Sequence, residues 1–168
     1  MHGFNINEKK QINGTLNLDE VNGELQIRGM IEGLNKNSSH AIHVHETGVL
    51  VQGCSDTGSH FNPTFALDSH GNIDDLVKHS GDLGNLKTNE QGQAQIKIRV
   101  SLDHMCLSCK TKFNILYRSL VVHINADDLG RGEHKESKSN GNSGKRIACG
   151  LIEPLPKETM TGEKFSFA

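Results

Sequence analysis

Short apolar runs alternate with turn residues along most of the chain. The segments "INGTLNL" (12–18), "LQIRGMIEGL" (25–34), "AIHVH" (41–45), "AQIKIRV" (94–100) and "SLVVHIN" (119–125) place Leu, Ile or Val at about every second position. Neighbouring side chains on a strand point to opposite faces, so a period of two marks a half-buried strand. None of these runs sustains the 3.6-residue period of an amphipathic helix. The pattern predicts an antiparallel all-β sandwich or barrel.

Two stretches break the rhythm. One runs from about Val49 to Leu86 and is rich in Gly, Asp, Asn and His; the other runs from about Asp127 to Lys145 and contains "GRGEHKESKSNGNSGK". Loops of this length inside a compact domain are usually either functional or disordered. No internal repeat or domain boundary stands out. Residues 1–153 read as one domain and 154–168, "PLPKETMTGEKFSFA", as a polar C-terminal tail.

Composition narrows the class. At 168 residues the chain is long enough for one domain with a real core, and with 4% aromatics and no Trp that core must come from Val, Ile and Leu. Glycine outnumbers proline 18 to 3, as expected of a chain with many turns and few rigid linkers. A net charge of −2 argues against a general nucleic-acid or membrane-surface binder. No apolar run reaches transmembrane length, and "MHGFNINEKK" lacks the hydrophobic segment of a signal peptide, so the expectation is a soluble chain, cytoplasmic or already freed of its signal. Asn13-Gly14-Thr15 and Asn37-Ser38-Ser39 fit the glycosylation triplet, a pointer to secretion. Of the four cysteines, Cys54 and Cys149 lie far apart, while Cys106 and Cys109 form a C-x-x-C in "HMCLSCK". Without a second C-x-x-C for zinc or a βαβ context for redox work, this pair reads as ordinary, mostly buried thiols.

The histidines carry the chemistry. Residues 40–48, "HAIHVHETG", hold three of them in six positions, and His43 and His45 stand two apart on a strand, which puts them on one face. The first long loop adds His60, His70, His79 and Asp82, and His123 follows on a later strand, whereas His2, His104 and His134 lie elsewhere. Solvated histidines would scatter more evenly. Imidazole with carboxylate and no thiolate suits copper(II) and zinc, and three His with one Asp fit a closed tetrahedral zinc site.

The stretches "HVHETG", "GCSDTGSHFNP", "HSGDLGN", "SLVVHINADDLGRG" and "GNSGKRIACG" together resemble the copper/zinc superoxide dismutase family, in order from about residue 14 to residue 152. The resemblance implies an eight-stranded antiparallel Greek-key barrel or sandwich with a long metal-binding loop and a long electrostatic loop. It implies one copper and one zinc per chain: copper on His43, His45, His60 and His123, zinc on His60, His70, His79 and Asp82, with His60 bridging the two as an imidazolate. The interval between His60 and His70 is two residues longer than is common in the family. In that chemistry copper takes an electron from one superoxide and gives it to another, yielding dioxygen and hydrogen peroxide. Zinc has no redox role; it holds His60 so that the bridge can part from copper, take a proton and deliver it to the product. Asp127 resembles the carboxylate that orients ligands of both metals, although Asp also serves turns such as the one before Gly130.

The resemblance also assigns Arg146 as the arginine that holds the substrate anion beside copper. From Arg131 to Arg146 five cations (Arg131, Lys135, Lys138, Lys145, Arg146) face Glu133 and Glu136, a local +3. Such a field steers anions inward, an effect for which this family is itself a standard example. Lys135 stands where an acidic residue is frequent. Cys54 and Cys149 match the family's intrachain disulfide, which in the chain-entropy model would contribute about 4 to 5 kcal/mol at most. Thr47, Tyr117 and Pro154 stand where the dimeric enzymes carry an aromatic residue, a glycine and an apolar residue, which argues against the usual homodimer. "HAIHVH" and the two glycosylation triplets look more like the secreted branch, with the cytoplasm as the alternative. A copper-delivery relative would call for a further metal domain or a C-x-C tail, and a non-catalytic relative for gaps at His43, His45 or His123; the sequence has neither feature.

Overall fold

The structure is a computed structural model and describes residues 12–64, 69–155 and 163–166. Its strands are β1 (Asn13–Val21), β2 (Glu24–Glu32), β3 (Ser39–His45), β4 (Asp82–Lys87), β5 (Ala94–Ser101), β6 (Ser119–His123), β7 (Arg146–Glu153) and β8 (Glu163–Ser166). All pairings among them are antiparallel, in the order β4-β3-β6-β7-β8-β1-β2-β5. The end strands β4 and β5 lie against each other, so the sheet curls on itself. Strands β3, β4 and β5 run in sequence and β6 returns beside β3, which is a Greek key.

Alternation in β1 and β5 is what the sequence pattern requires. Leu16 and Leu18 point inward while Asn17 is exposed, and Ala94, Ile96 and Val100 point inward while Gln95, Lys97 and Arg99 are exposed. With Leu25, Ile27, Ile31, Ile42, Val44, Leu120, Val122 and Ile152 they form one apolar core. Each such side chain, fully buried, contributes about 1.5 to 3 kcal/mol.

Three strands escaped the periodicity. In β4, "DLGNLK", the run is interrupted by Gly84 at φ +85°; β7, "RIACGLIE", keeps buried residues on both faces. Strand β8 falls inside the stretch read as a polar tail, and it pairs with both β1 and β7. Residues 154–168 are therefore not wholly a tail outside the sheet.

Strands β3 and β6 show no alternation: all of His40–His45 and all of Ser119–His123 are buried. One face meets the apolar core and the other is roofed by the two long connections. The first, 46–81, contains a 3-10 turn at Gly53–Thr57; the second, 124–145, contains a single helical turn, α1 (Ser137–Asn140). The space between sheet and roof is where the histidines meet.

Tyr117 sits just before β6 at φ +63°, a left-handed conformation that glycine adopts without strain. Its N–H donates to Ile152 O at 2.7 Å and its side chain is 64% exposed. A left-handed backbone position is thus filled here by a tyrosine.

Candidate metal centre

Strand geometry delivers the first three histidines. In β3 the register against β6 pairs His43 with Val121 and His45 with Ser119. Irregularities fall between Ala41 and His43, and again between Val122 and His123. A bulge re-aims the side chain beside it, and both lie next to a ligand candidate. The first long connection then folds back onto β3. Phe61 N donates to Val44 O (2.8 Å), Val44 N to Gly81 O (2.9 Å) and Gly81 N to Phe61 O (2.8 Å), and His60 forms an isolated bridge with His45.

His43, His45, His60 and His123 converge, each offering one ring nitrogen, with these atoms within 4.8 Å of one another and all four residues buried. The far nitrogens are fixed by oxygens: His43 Nε2 on Asp127 Oδ2 at 2.9 Å, His45 Nδ1 on Gly58 O at 2.9 Å, His123 Nδ1 on Gly144 O at 3.0 Å. His45 Nε2 and His123 Nε2 are 3.3 Å apart. His43 Nδ1 and His60 Nε2 are buried without a hydrogen-bond partner. Leaving such atoms unpaired costs about 1 to 3 kcal/mol each, and coordination to a metal would remove that cost.

A second group centres on Asp82. Its Oδ1 lies 2.9 Å from His60 Nδ1, 2.9 Å from His70 Nδ1 and 3.3 Å from His79 Nδ1. Zinc bonds of about 2.0 Å in a tetrahedron put donors about 3.3 Å apart, and each of the three nitrogens lies near that distance from Asp82 Oδ1. The ligand atoms that all lie within 4.8 Å of one another here are those of His43, His60, His70 and Asp82. The other oxygen, Oδ2, accepts from Gly71 N (3.1 Å) and His79 N (3.0 Å), which fixes the carboxylate. His60 belongs to both groups. All seven residues named from the sequence are brought together.

Electrostatics suit the purpose. Burial, reinforced by neighbouring imidazoles, holds His43 and His45 well below the ordinary histidine value; burial also lowers His60 against the pull of Asp82. His123 is brought down to about 4, chiefly by burial and despite the Gly144 carbonyl. Neutral imidazole is the form that ligates a metal. His70 behaves oppositely: burial pulls it down, but hydrogen bonds to Asp127 and Asp82 win and raise it to about 9. Burial pushes Asp82 up, yet the three histidines hold it well below the usual carboxylate range.

Asp127 ties the groups together. Its Oδ2 holds His43, and its Oδ1 accepts from His70 Nε2 (2.7 Å) and Leu129 N (2.7 Å). Asn85 pins its backbone at both ends, Nδ2 to Asp127 O at 2.9 Å and Asp127 N to Asn85 Oδ1 at 2.7 Å. Gly141, at φ +65°, packs so closely that a Cβ there would overlap Asp127 Oδ1 and His70 Nε2. His40, buried in β3, places its Nδ1 2.9 Å from His123 O. Sequence reasoning missed Asn85, Gly141 and the role of His40; all three lie inside quoted stretches, and the residue types of the first two carry no metal chemistry.

Arg146 is the strand partner of His123. Its guanidinium donates to Cys54 O (3.0 Å), Ser55 O (2.9 Å), Thr57 Oγ1 (3.0 Å) and Gly58 O (2.6 Å). The Cys54–Cys149 disulfide, 95 residues in span, ties the same 3-10 turn to β7. Cys106 and Cys109, read from the sequence as ordinary thiols, are bonded to each other instead. Of the loop cations, Arg131 pairs with Asp75 at 3.2 Å, while Lys135, Lys138 and Lys145 are exposed.

Residues 12–152 match the family described as copper/zinc superoxide dismutase (SODC). The chain is 40% identical over 141 residues to the Cu-Zn superoxide dismutase of Paramecium bursaria Chlorella virus 1, covering 84% of this chain and 72% of that protein. It is 41% identical over 140 residues to the extracellular Cu-Zn superoxide dismutase of Drosophila melanogaster, covering 83% and 74%. Among solved structures, the clock protein EA4 superposes with a TM-score of 0.74 at 34% identity, over 90% of this chain and 97% of that one. Fold, clustered histidines and sequence agree: the chain belongs to the copper/zinc superoxide dismutase family.

Proposed function

We propose that this protein dismutes superoxide to dioxygen and hydrogen peroxide. His43, His45, His60 and His123 hold copper, and His60, His70, His79 and Asp82 hold zinc. The observation that carries the reading is the position of His60: Nδ1 lies against Asp82 while the buried Nε2, free of protein hydrogen bonds, is left for the other group. Copper, when bound, would supply the one-electron exchange.

The residues supply the rest. His60 Nε2 would take up a proton and pass it to the reduced product, while Nδ1, beside Asp82, stays held in the zinc group. Asp127 holds the His43 and His70 rings in one orientation. Arg146, anchored by four hydrogen bonds to the 3-10 turn, presents fixed positive charge next to His123 and positions the superoxide anion. Exposed Lys135, Lys138 and Lys145 draw the anion in, an attraction that salt weakens.

Extracellular relatives in fly and nematode support a secreted protein, with the cytoplasm as the alternative. The exposed tyrosine at position 117 supports a subunit arrangement other than the usual homodimer, and the net charge of −2 speaks against a nucleic-acid partner. No helix among the described residues is long and apolar enough to cross a membrane.

Elemental analysis of metal-loaded protein, paired with superoxide consumption before and after copper removal, tests the function. About one copper and one zinc per chain, with activity lost and then restored by copper, is the expected result. Zinc binding with no dismutase activity after copper loading would leave a non-catalytic metal-binding relative.

A further inference from the structure

The Cys106–Cys109 pair lies outside the metal centre and shares no residue with it. Its Cα atoms are 5.8 Å apart, inside the range a disulfide spans. A cross-link over a sequence separation of three closes a very short loop, and loop-closure stabilisation grows with loop length. Unlike Cys54–Cys149, this bond does little to staple the fold.

Its surroundings hold their shape by other means. The Glu20 carboxylate accepts Leu107 N (2.6 Å), Ser108 N (3.1 Å) and Ser108 Oγ, so the two residues between the cysteines are anchored to β1. Asn114 Nδ2 donates to Leu107 O (3.0 Å) and Cys109 O (2.8 Å). Cys106 itself exchanges backbone bonds with Phe113 O (3.0 Å) and Ile115 N (2.9 Å). None of these hydrogen bonds runs through a cysteine sulfur.

The two sulfurs are unequal. Cys106 is 2% exposed, whereas Cys109 is half-buried and its Sγ lies 3.2 Å from the Thr111 hydroxyl, which can donate to a thiolate. An accessible attacking sulfur beside a protected resolving one is the arrangement that thiol–disulfide exchange uses.

We propose that Cys106–Cys109 is a second, redox-active site that exchanges with external low-molecular-weight thiols and is re-oxidised by hydrogen peroxide. In reduction, an external thiolate attacks the Cys109 sulfur and the Cys106–Cys109 bond breaks, leaving Cys106 to take a proton. A second external thiolate then displaces Cys109, so two external thiols leave as one disulfide and the pair gains two electrons and two protons. In re-oxidation, the Cys109 thiolate takes one oxygen of hydrogen peroxide as the O–O bond breaks, and the departing hydroxide leaves as water. Cys106 then attacks the Cys109 sulfenic sulfur; the S–S bond forms, the S–O bond breaks and a second water departs.

The test uses the metal-loaded full chain and added peroxide, so its outcome is independent of dismutase activity. Under anaerobic incubation with glutathione, differential alkylation and peptide mass analysis should find Cys106 and Cys109 labelled while Cys54–Cys149 stays closed. One equivalent of hydrogen peroxide should then remove both labelling sites and restore the bridge. Cys106→Ser should leave Cys109 stalled as a dimedone-trappable sulfenic acid, and Cys109→Ser should abolish peroxide reactivity at Cys106, with both variants retaining dismutase activity. A pair that opens only together with Cys54–Cys149, or that goes to sulfinic acid without re-forming the bridge, would overturn the proposal.

Discussion

Asp127 Oδ2 accepts a hydrogen bond from His43 Nε2 at 2.9 Å, with both side chains fully buried and 84 residues apart in sequence. The same carboxylate holds His70 through its other oxygen, so one side chain sets the rings of two clustered histidines together.

Asp127→Asn keeps the size but turns one acceptor into a donor, which faces an imidazole N–H. Affinity for both metals should fall by about 10- to 100-fold, the usual cost of losing such a support. Chelator competition read separately for copper and zinc checks this. Loss of one metal's affinity with the other untouched would show that Asp127 serves a single group.

Gly141 is a packing requirement of the same carboxylate. Gly141→Ala places a methyl group onto Asp127 and His70 in a left-handed backbone, so thermal unfolding of the variant should show a loss of about 1 to 3 kcal/mol. Zinc release by a chelator should be faster as well. Gly23→Ala, also at positive φ but with open space around it, should cost only the backbone part.

Cys149→Ser removes the link between β7 and the 3-10 turn that holds Arg146. Urea unfolding should show a loss of up to about 5 kcal/mol for a 95-residue span. At low salt, superoxide consumption per metal-loaded chain should also fall, because the anchors of Arg146 loosen. Unchanged activity in the folded variant would mean that Arg146 is held without the disulfide.

Metal-free protein should be most stable near pH 6.5. His123 has a folded value of about 4, below its ordinary 6.5, so the unfolded chain binds the proton first and stability is lost as pH falls from 6.5 toward 4. His70 has a folded value of about 9, above 6.5, so its contribution is full below 6.5 and is lost as pH rises toward 9. Urea midpoints at pH 4.5, 6.5 and 9 measure both limbs. His70→Gln should flatten the alkaline limb and leave the acid limb in place.

Much of the site was legible because metal ligation restricts residue type. His43, His45, His60, His70, His79, Asp82 and His123 could be named from the motifs, and the structure gathers them. Asn85 and Gly141 were not legible. Asn85 acts only by holding a backbone and Gly141 only by lacking a Cβ, and neither role has a chemical signature in sequence. The Cys106–Cys109 bond was missed for a related reason: C-x-x-C was judged by the context of other folds, whereas its closure depends on a loop that Glu20 and Asn114 shape from a distance.

The sequence by itself determined the class of fold and the chemistry. Period-two alternation in β1, β2 and β5 follows from one buried face, and the imidazole-rich set follows from what copper and zinc accept. Tertiary structure alone decided how those parts meet. It brought Asp127 between His43 and His70, set bulges beside His43 and His123, and placed β8 between β7 and β1, where a polar tail had been expected. Each of these depends on contacts between residues tens of positions apart, and local pattern carries no record of such distances.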